Sequence, residues 1–487
     1  MKKQFFIALA LLFSATAFGQ SITGTWEGNI NAGGSEIPIV FHIAKDSSGK
    51  LTGMFDSPSQ KAYNLACSAV LVSADSILIM MNILKGKYTG KLSADKKQIT
   101  GTWFQGGGSV ALNITKTSEE VKIKELKRPQ TPKPPFPYKA EDVEYTNADK
   151  SISFGGTFTV PLPDPNVEYF RAPVYPTVML ITGSGKQDRD ENIFDHKPFA
   201  VIADYLTRNG YAVLRVDDRD MGKTTGNFNK ATSADFANDV EAGINYLKTR
   251  KDVDSNFIGL LGHSEGGMIA PMVAARRADI KFIILLAGPG IKIVDLMTQQ
   301  NIDLGISSGA SAEEMENFRP LYKALVNAIV YEKDSSKLMP NASMVFKAWR
   351  KDKPDSLVKH VTGVTDERSM LRYLRIYIQT FRATENPWFN YFIQYDPSQY
   401  ISQLKCPVLA LNGEKDIQVA AGPNLKAIEA ALDKGGNKNY HVELMPGLNH
   451  LFQHCTKCTV EEYSDLEESF SPEVLELIKN WIKEAVK

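Results

Sequence analysis

The residues with most chemical potential lie in three short loops, far apart along a chain of 487 residues. After the apolar run 257–261 comes Gly262-His263-Ser264-Glu265-Gly266-Gly267, followed from Met268 by a helix-compatible stretch. Gly-x-Ser-x-Gly between a strand and a helix is what a nucleophile elbow requires. Ser264 must then occupy a strained turn in which side chains at 262 and 266 would meet neighbouring backbone. The turn also sets its hydroxyl at a helix N-terminus, whose dipole favours developing negative charge. A serine hydroxyl is a poor nucleophile until a base takes its proton, so a histidine is needed, and a carboxylate to hold that histidine's tautomer. Behind such an elbow the chain order is Ser, acid, His. Asp416 follows the apolar strand 407–411 and His450 follows the strand 441–444. Both sit in loops after strand ends, where sites gather in open α/β sheets. Other candidates fit less well. His263 lies inside the elbow, with its side chain expected to point away from the reacting face of Ser264. His441 begins a strand, His454 lies beyond the loop, and Glu414 would leave its turn at a different angle.

Acyl transfer also needs two backbone donors for an oxyanion. The amide of Glu265, next after the nucleophile, supplies one. The other is expected from the glycine-containing loop 182–190, with the amide of Ser184 first and that of Gly185 second. The aromatic run 387–392 offers Trp388 and Phe389 as walls of an acyl pocket or, equally, as the packed core of a cap. This chemistry calls for no metal or organic cofactor, and the partner it implies is a small-molecule ester.

The elements that must position these loops are those of an α/β architecture. Strands are expected at 177–181, 212–216, 257–261, 282–286 and 407–411, alternating with amphipathic helices, as in a mostly parallel sheet covered on both faces. One helix is capped near Ser233 and carries Phe236, Val240, Ile244 and Leu247 on one stripe; the last begins at Ser471-Pro472. Residues 290–400 interrupt the rhythm with helical stretches, one opened by the capping box 311–314, and read as a helical cap. Residues 20–125 alternate apolar and polar in short runs between turn residues, which is the signature of antiparallel strands. Gly24-Thr25-Trp26 recurs as Gly101-Thr102-Trp103, a pattern similar to lipocalin-like β-domains that would close a small barrel. Such a barrel would serve as a ligand cup or, as we favour, as a packed spacer or docking module. The proline-dense stretch 126–138 reads as a semi-rigid linker between this domain and 139–487.

Residues 1–19 have secretory signal architecture, with Lys2 and Lys3 before an apolar run and small residues before Gln20, so an exported, periplasmic or secreted product is expected. No later run reaches the roughly 18 apolar residues of a membrane span. Basic and acidic residues balance at 56 each, and 43% of residues are hydrophobic, which argues against disorder and against a nucleic-acid partner. Of the four cysteines, Cys67, Cys406, Cys455 and Cys458, the Cys455-x-x-Cys458 pair reads as a local disulfide or two free thiols in preference to a zinc knuckle, and Cys406 as a buried free thiol.

From about residue 137 onward the chain resembles the α/β-hydrolase fold, and specifically bacterial esterases carrying Gly-Ser-Gly-x-Gln-Asp-Arg-Asp (here 183–190), Gly-His-Ser-Glu-Gly-Gly (262–267) and Leu-Asn-His-Leu-Phe-Gln (448–453). The resemblance implies carboxylic ester hydrolysis, commonly of short acyl chains, and some relatives of this kind are peptidases. Asp220 departs from the glycine usual at its position. Besides the esterase reading, the chain is compatible with a serine peptidase of the same fold and with an exported ligand-binding protein whose hydrolase half is inert.

Overall fold

A computed structural model describes residues 22–485 except 33–34, 47, 59–61, 82–83, 85, 106–107, 118–126, 167–171 and 383–386. The leader expected at 1–19 lies outside the described residues. The chain divides into two compact units, Met1–Glu125 and Leu126–Lys487.

In the first unit, alternating sequence becomes an antiparallel sheet of nine strands: Gly24–Ala32, Ser35–Lys45, Leu51–Ser57, Ala62–Ala66, Ala69–Ser73, Ser76–Met81, Gly86–Leu92, Gln98–Gln105 and Gly108–Lys116. The first strand pairs with both the second and the last, so Trp26 faces Phe41 across one ladder and Lys116 across the other. The inward residues Trp26, Phe41, Phe55, Tyr88 and Trp103 fill the interior, with Phe55 and Trp103 stacked at 5.4 Å between ring centroids. The sheet is curled, but it does not close as a ladder-paired barrel. Its two edge strands, Ala62–Ala66 and Ala69–Ser73, are consecutive in the chain yet stand at opposite ends of the ladder order. Instead the chain crosses from one edge to the other at Cys67-Ser68, whose amides donate to Gly53 O and Met80 O at 2.8 Å each.

The second unit is built on eight strands: β1 (Tyr138–Thr146), β2 (Ser153–Pro161), β3 (Tyr175–Ile181), β4 (Ala212–Val216), β5 (Val253–His263), β6 (Phe282–Leu286), β7 (Val408–Gly413) and β8 (Tyr440–Met445). Their order is β1-β2-β4-β3-β5-β6-β7-β8. Strand β2 runs antiparallel to both of its neighbours and the rest are parallel. The central strands are apolar throughout because both faces are covered. Helices α1 (Pro198–Arg208) and α12 (Pro472–Ala485) cover one face through Phe199, Leu206, Leu475 and Ile478. Helices α2 (Ser233–Leu247), α3 (Gly266–Arg276) and α11 (Ala421–Lys434) cover the other through Val240, Ile269 and Ile428.

Between β6 and β7 lies the helical insertion: α4 (Ile293–Ser307), α5 (Ala312–Val330), α6 (Leu338–Arg350), α7 (Asp355–Thr362), α8 (Glu367–Arg382), α9 (Pro387–Ile393) and α10 (Ser398–Ile401). The capping box opening α5 is formed, with Ser311 Oγ accepting from Glu314 N. Buried Phe318, Leu325, Phe346, Leu374 and Phe381 make this cap continuous with the core on that side of the sheet. Among the described residues no helix is long and apolar enough to cross a membrane.

From 127 onward the polar side chains of the proline-dense stretch are tied to the rest of the second unit. Arg128 donates to Phe194 O, Leu466 O and Ser464 O, and the Gln130 side chain brackets Ser469 and Phe470. At the unusual position 220 the backbone is left-handed, with φ +60°, a conformation glycine adopts freely and Asp tolerates better than most residues; Lys186 pairs with it at 3.3 Å.

Candidate active site

Strand β5 continues to His263, so Ser264 stands directly at the strand end, at φ +53°. A non-glycine residue held there is strained, and the surroundings over-determine it. A Cβ on Gly262 would lie 2.0 Å from Gly266 O, and one on Gly266 would lie 2.1 Å from Ile181 O, so neither position admits a side chain. Ser264 N donates to Leu286 O, and Gly267 N and Met268 N return to Ser264 O and Glu265 O, which starts α3.

Asp416 and His450 come together from loops after β7 and β8. The Asp416 side chain is fully buried, and its Oδ2 accepts from His450 Nδ1 at 2.7 Å. Its other oxygen accepts from Gln418 N and Val419 N, both at 2.8 Å, which fixes the carboxylate's angle. Glu414 instead takes Gly447 N and faces solvent. The Leu-Asn-His-Leu-Phe-Gln block divides its labour. Leu448, Leu451 and Phe452 are buried, Asn449 Oδ1 accepts from Leu451 N and Gln453 N at 3.0 Å each, and His450 is presented between these anchors. Gln453 in turn reaches Glu468 O and the buried His196, whose pKa burial pushes down to about 4. Among the described residues Ser264 Oγ and His450 Nε2 do not share a formed hydrogen bond; such contacts commonly tighten only when substrate binds. The other two rivals are elsewhere: His441 pairs with Glu443, and His454 with Glu468 and Glu473.

The loop 182–190, expected to supply an oxyanion donor, is held more elaborately than the sequence suggested. The amides of Glu265 and Ser184 make no hydrogen bond among the described residues, while the neighbouring Gly183 N is already engaged, donating to the buried Glu191 Oε1 at 2.6 Å. Gly183 passes so close to the elbow that a Cβ there would be 3.2 Å from Ser264 Cβ. Asp218 clamps the same loop at both ends, accepting from Thr182 Oγ1 and Gln187 N at 2.8 Å each. Burial pushes its pKa up to about 7, against the lowering effect of those two donors. Arg189 meets Asp217 through both Nε and Nη2, and Arg215 meets Asp190. The Gln-Asp-Arg-Asp run therefore holds the loop in place and carries no visible chemistry of its own. A cavity of about 50 Å³ behind the loop, lined by Gly183, Asp218 and Glu265, is sized for ordered water and not for a substrate.

Glu265 supplies more than a backbone amide. Its buried carboxylate accepts from Ser233 Oγ at 2.6 Å and from the indole Nε1 of Trp388 at 2.8 Å, and faces the Ser184 hydroxyl; burial raises its pKa. Trp388 thus reaches the site from the cap, stacked on Phe392 at 4.9 Å. Phe389 stacks on Phe381 within the cap. Glu191 and Asp218 were not foreseen, since a buried carboxylate has no sequence signature that separates it from a surface one; Ser233 was expected only near a helix cap, not as a donor to Glu265. Beyond the histidine, Cys455 and Cys458 are joined as a disulfide, and Glu462 binds the amides of the enclosed loop. Cys406 and Cys67 are free, with burial pushing their thiols up to about 11 and about 12.

The strand order, the antiparallel β2 and the elbow after β5 define an α/β-hydrolase fold. Residues 196–354 match the family described as serine aminopeptidase, S33. Over 127 residues the chain is 33% identical to esterase EstD of Thermotoga maritima; the match covers 26% of this chain and spans 30% of the length of that relative. Among solved structures, an esterase of Pyrococcus furiosus shares 15% identity, with coverage of 71% of this chain and 91% of its own, at a TM-score of 0.39. Est1E of Butyrivibrio proteoclasticus, solved with ferulic acid, shares 17% over 71% and 97%, at 0.37.

Proposed function

We propose that the second unit is a serine hydrolase of carboxylic esters, acting on short acyl chains. In this reading Ser264 Oγ attacks the ester carbonyl while His450 Nε2 takes its proton, and Asp416 holds the imidazole. The amides of Glu265 and Ser184 bind the oxyanion. His450 then protonates the departing alcohol, and water repeats the sequence in reverse roles to release the acid. The observation carrying this is the buried 2.7 Å contact between His450 Nδ1 and Asp416 Oδ2, beside an elbow that forces Ser264 into a left-handed turn. The partial likeness to an esterase is consistent with it. The signal-like sequence at 1–19 supports export as the setting.

The match to a family described as aminopeptidase favours one second reading, serine peptidase action. A fluorophosphonate probe is expected to label the wild-type chain and not Ser264→Ala. Ester turnover in that variant should fall by about 10⁶-fold. Equal labelling of both proteins would defeat the proposal. Faster turnover of an aminoacyl anilide than of a short-chain nitrophenyl ester would shift the assignment to the peptidase.

A further inference from the structure

His263, inside the elbow, is buried and points away from the nucleophile, yet both of its ring nitrogens are engaged by acceptors. Nδ1 lies 3.0 Å from Glu191 Oε1, and Nε2 lies 3.0 Å from the backbone carbonyl of His450. A carbonyl oxygen has no proton to give, so Nε2 must donate. Glu191 Oε1 already receives Gly183 N–H at 2.6 Å, an arrangement that suits an anionic oxygen, so Nδ1 donates as well. We infer that His263 is a buried imidazolium paired with Glu191, and that this pair positions the base and the oxyanion loop for the hydrolysis proposed above.

The pair joins three segments in one chain of hydrogen bonds: Gly183 N–H to Glu191, Glu191 to His263, and His263 to His450 O. Its members come from the loop after β3, the end of β5 and the loop after β8. Loss of either charge would free the His450 backbone and the loop that carries Ser184. The charged and titratable groups facing the His263 ring are Glu191, Asp416 and the His450 ring, whose centroid is 4.8 Å away. Burial alone would lower the His263 pKa, but Glu191, together with the His450 carbonyl and Asp416, outweighs it and holds the value above that of an ordinary histidine.

The experiment is nitrogen-15 NMR of the histidine-labelled full chain, with His263 assigned through His263→Asn, alongside kinetics of Glu191→Gln. Both ring nitrogens of His263 are expected to carry protons at pH 7.5. In Glu191→Gln one of them should lose its proton, kcat should fall about 10- to 100-fold through misplacement of the base, and KM should stay within about twofold. A neutral His263 ring in the wild-type protein at pH 7.5 would overturn the inference whatever the kinetics. An unchanged kcat in a variant whose ring has become neutral would overturn the positioning role. These readings are separable from the hydrolase assignment, because the NMR result needs no turnover and absence of fluorophosphonate labelling in the wild type would strike that assignment alone.

Discussion

Asp416 and Asp218 show how two buried carboxylates near one site are set to different tasks by their donors. Asp416 faces an imidazole and two backbone amides, and no proton is required on it for any of these contacts. Asp416→Asn preserves shape but favours the wrong tautomer of His450, so kcat should drop by about 10⁴ with the fold intact, as read by circular dichroism and steady-state kinetics. Asp218 faces a hydroxyl, which can accept as well as donate, and an amide, so a protonated or amide side chain serves there equally. Its folded pKa, about 7, lies above that of the unfolded chain. The sign follows: the folded state holds the proton more tightly, so the stabilisation is complete below about pH 4 and is lost as pH rises through 7. Asp218→Asn removes this dependence. Its melting temperature relative to wild type should therefore be higher by a few degrees at pH 8 than at pH 5, and a gap that is constant across that range would refute the argument.

At the scale of elements, legibility followed local physics. The strands expected at 282–286 and 212–216 match the observed β6 and β4 to the residue, because buried parallel strands are written as continuous apolar runs. The elbow glycines were readable because backbone collisions forbid any larger residue, and the 2.0 and 2.1 Å at which an added Cβ would meet backbone oxygens bear out that steric reason. The curled first sheet was readable as strands but not as an open order, since closure depends on where the chain crosses at Cys67-Ser68 and not on alternation. Likewise nothing local marks Glu265 as a hinge between cap and elbow. That role gives a prediction about α9: Trp388→Phe deletes one donor to a buried carboxylate and should cost about 1–3 kcal/mol in chemical denaturation. In a Glu265→Gln background the acceptor is a neutral amide oxygen, so the same substitution should cost less. Additive effects in this double-mutant cycle would show that the indole contact carries no coupling.

The whole molecule has cores that share no residue between its two units: one around Trp26, Phe41 and Tyr88 in the first, and two flanking the eight-stranded sheet in the second. The interior of the first unit is occupied by its own aromatic side chains, which argues against a ligand cup and for a packed module. Phe41 is the sharpest probe, being fully buried and in ring contact with Phe55, Tyr88 and Trp103. Phe41→Ala should remove about 3–5 kcal/mol from the stability of that sheet, the usual effect of truncating a buried phenyl ring in a close-packed core. Ser264, Asp416 and His450 all belong to the second unit, so kcat for a short-chain nitrophenyl ester at 25 °C should stay within about twofold of wild type. Calorimetry should show a low-temperature transition moving down while the transition that abolishes ester turnover stays in place. If instead activity is lost along with the shifted transition, the two units do not unfold independently and the prediction fails.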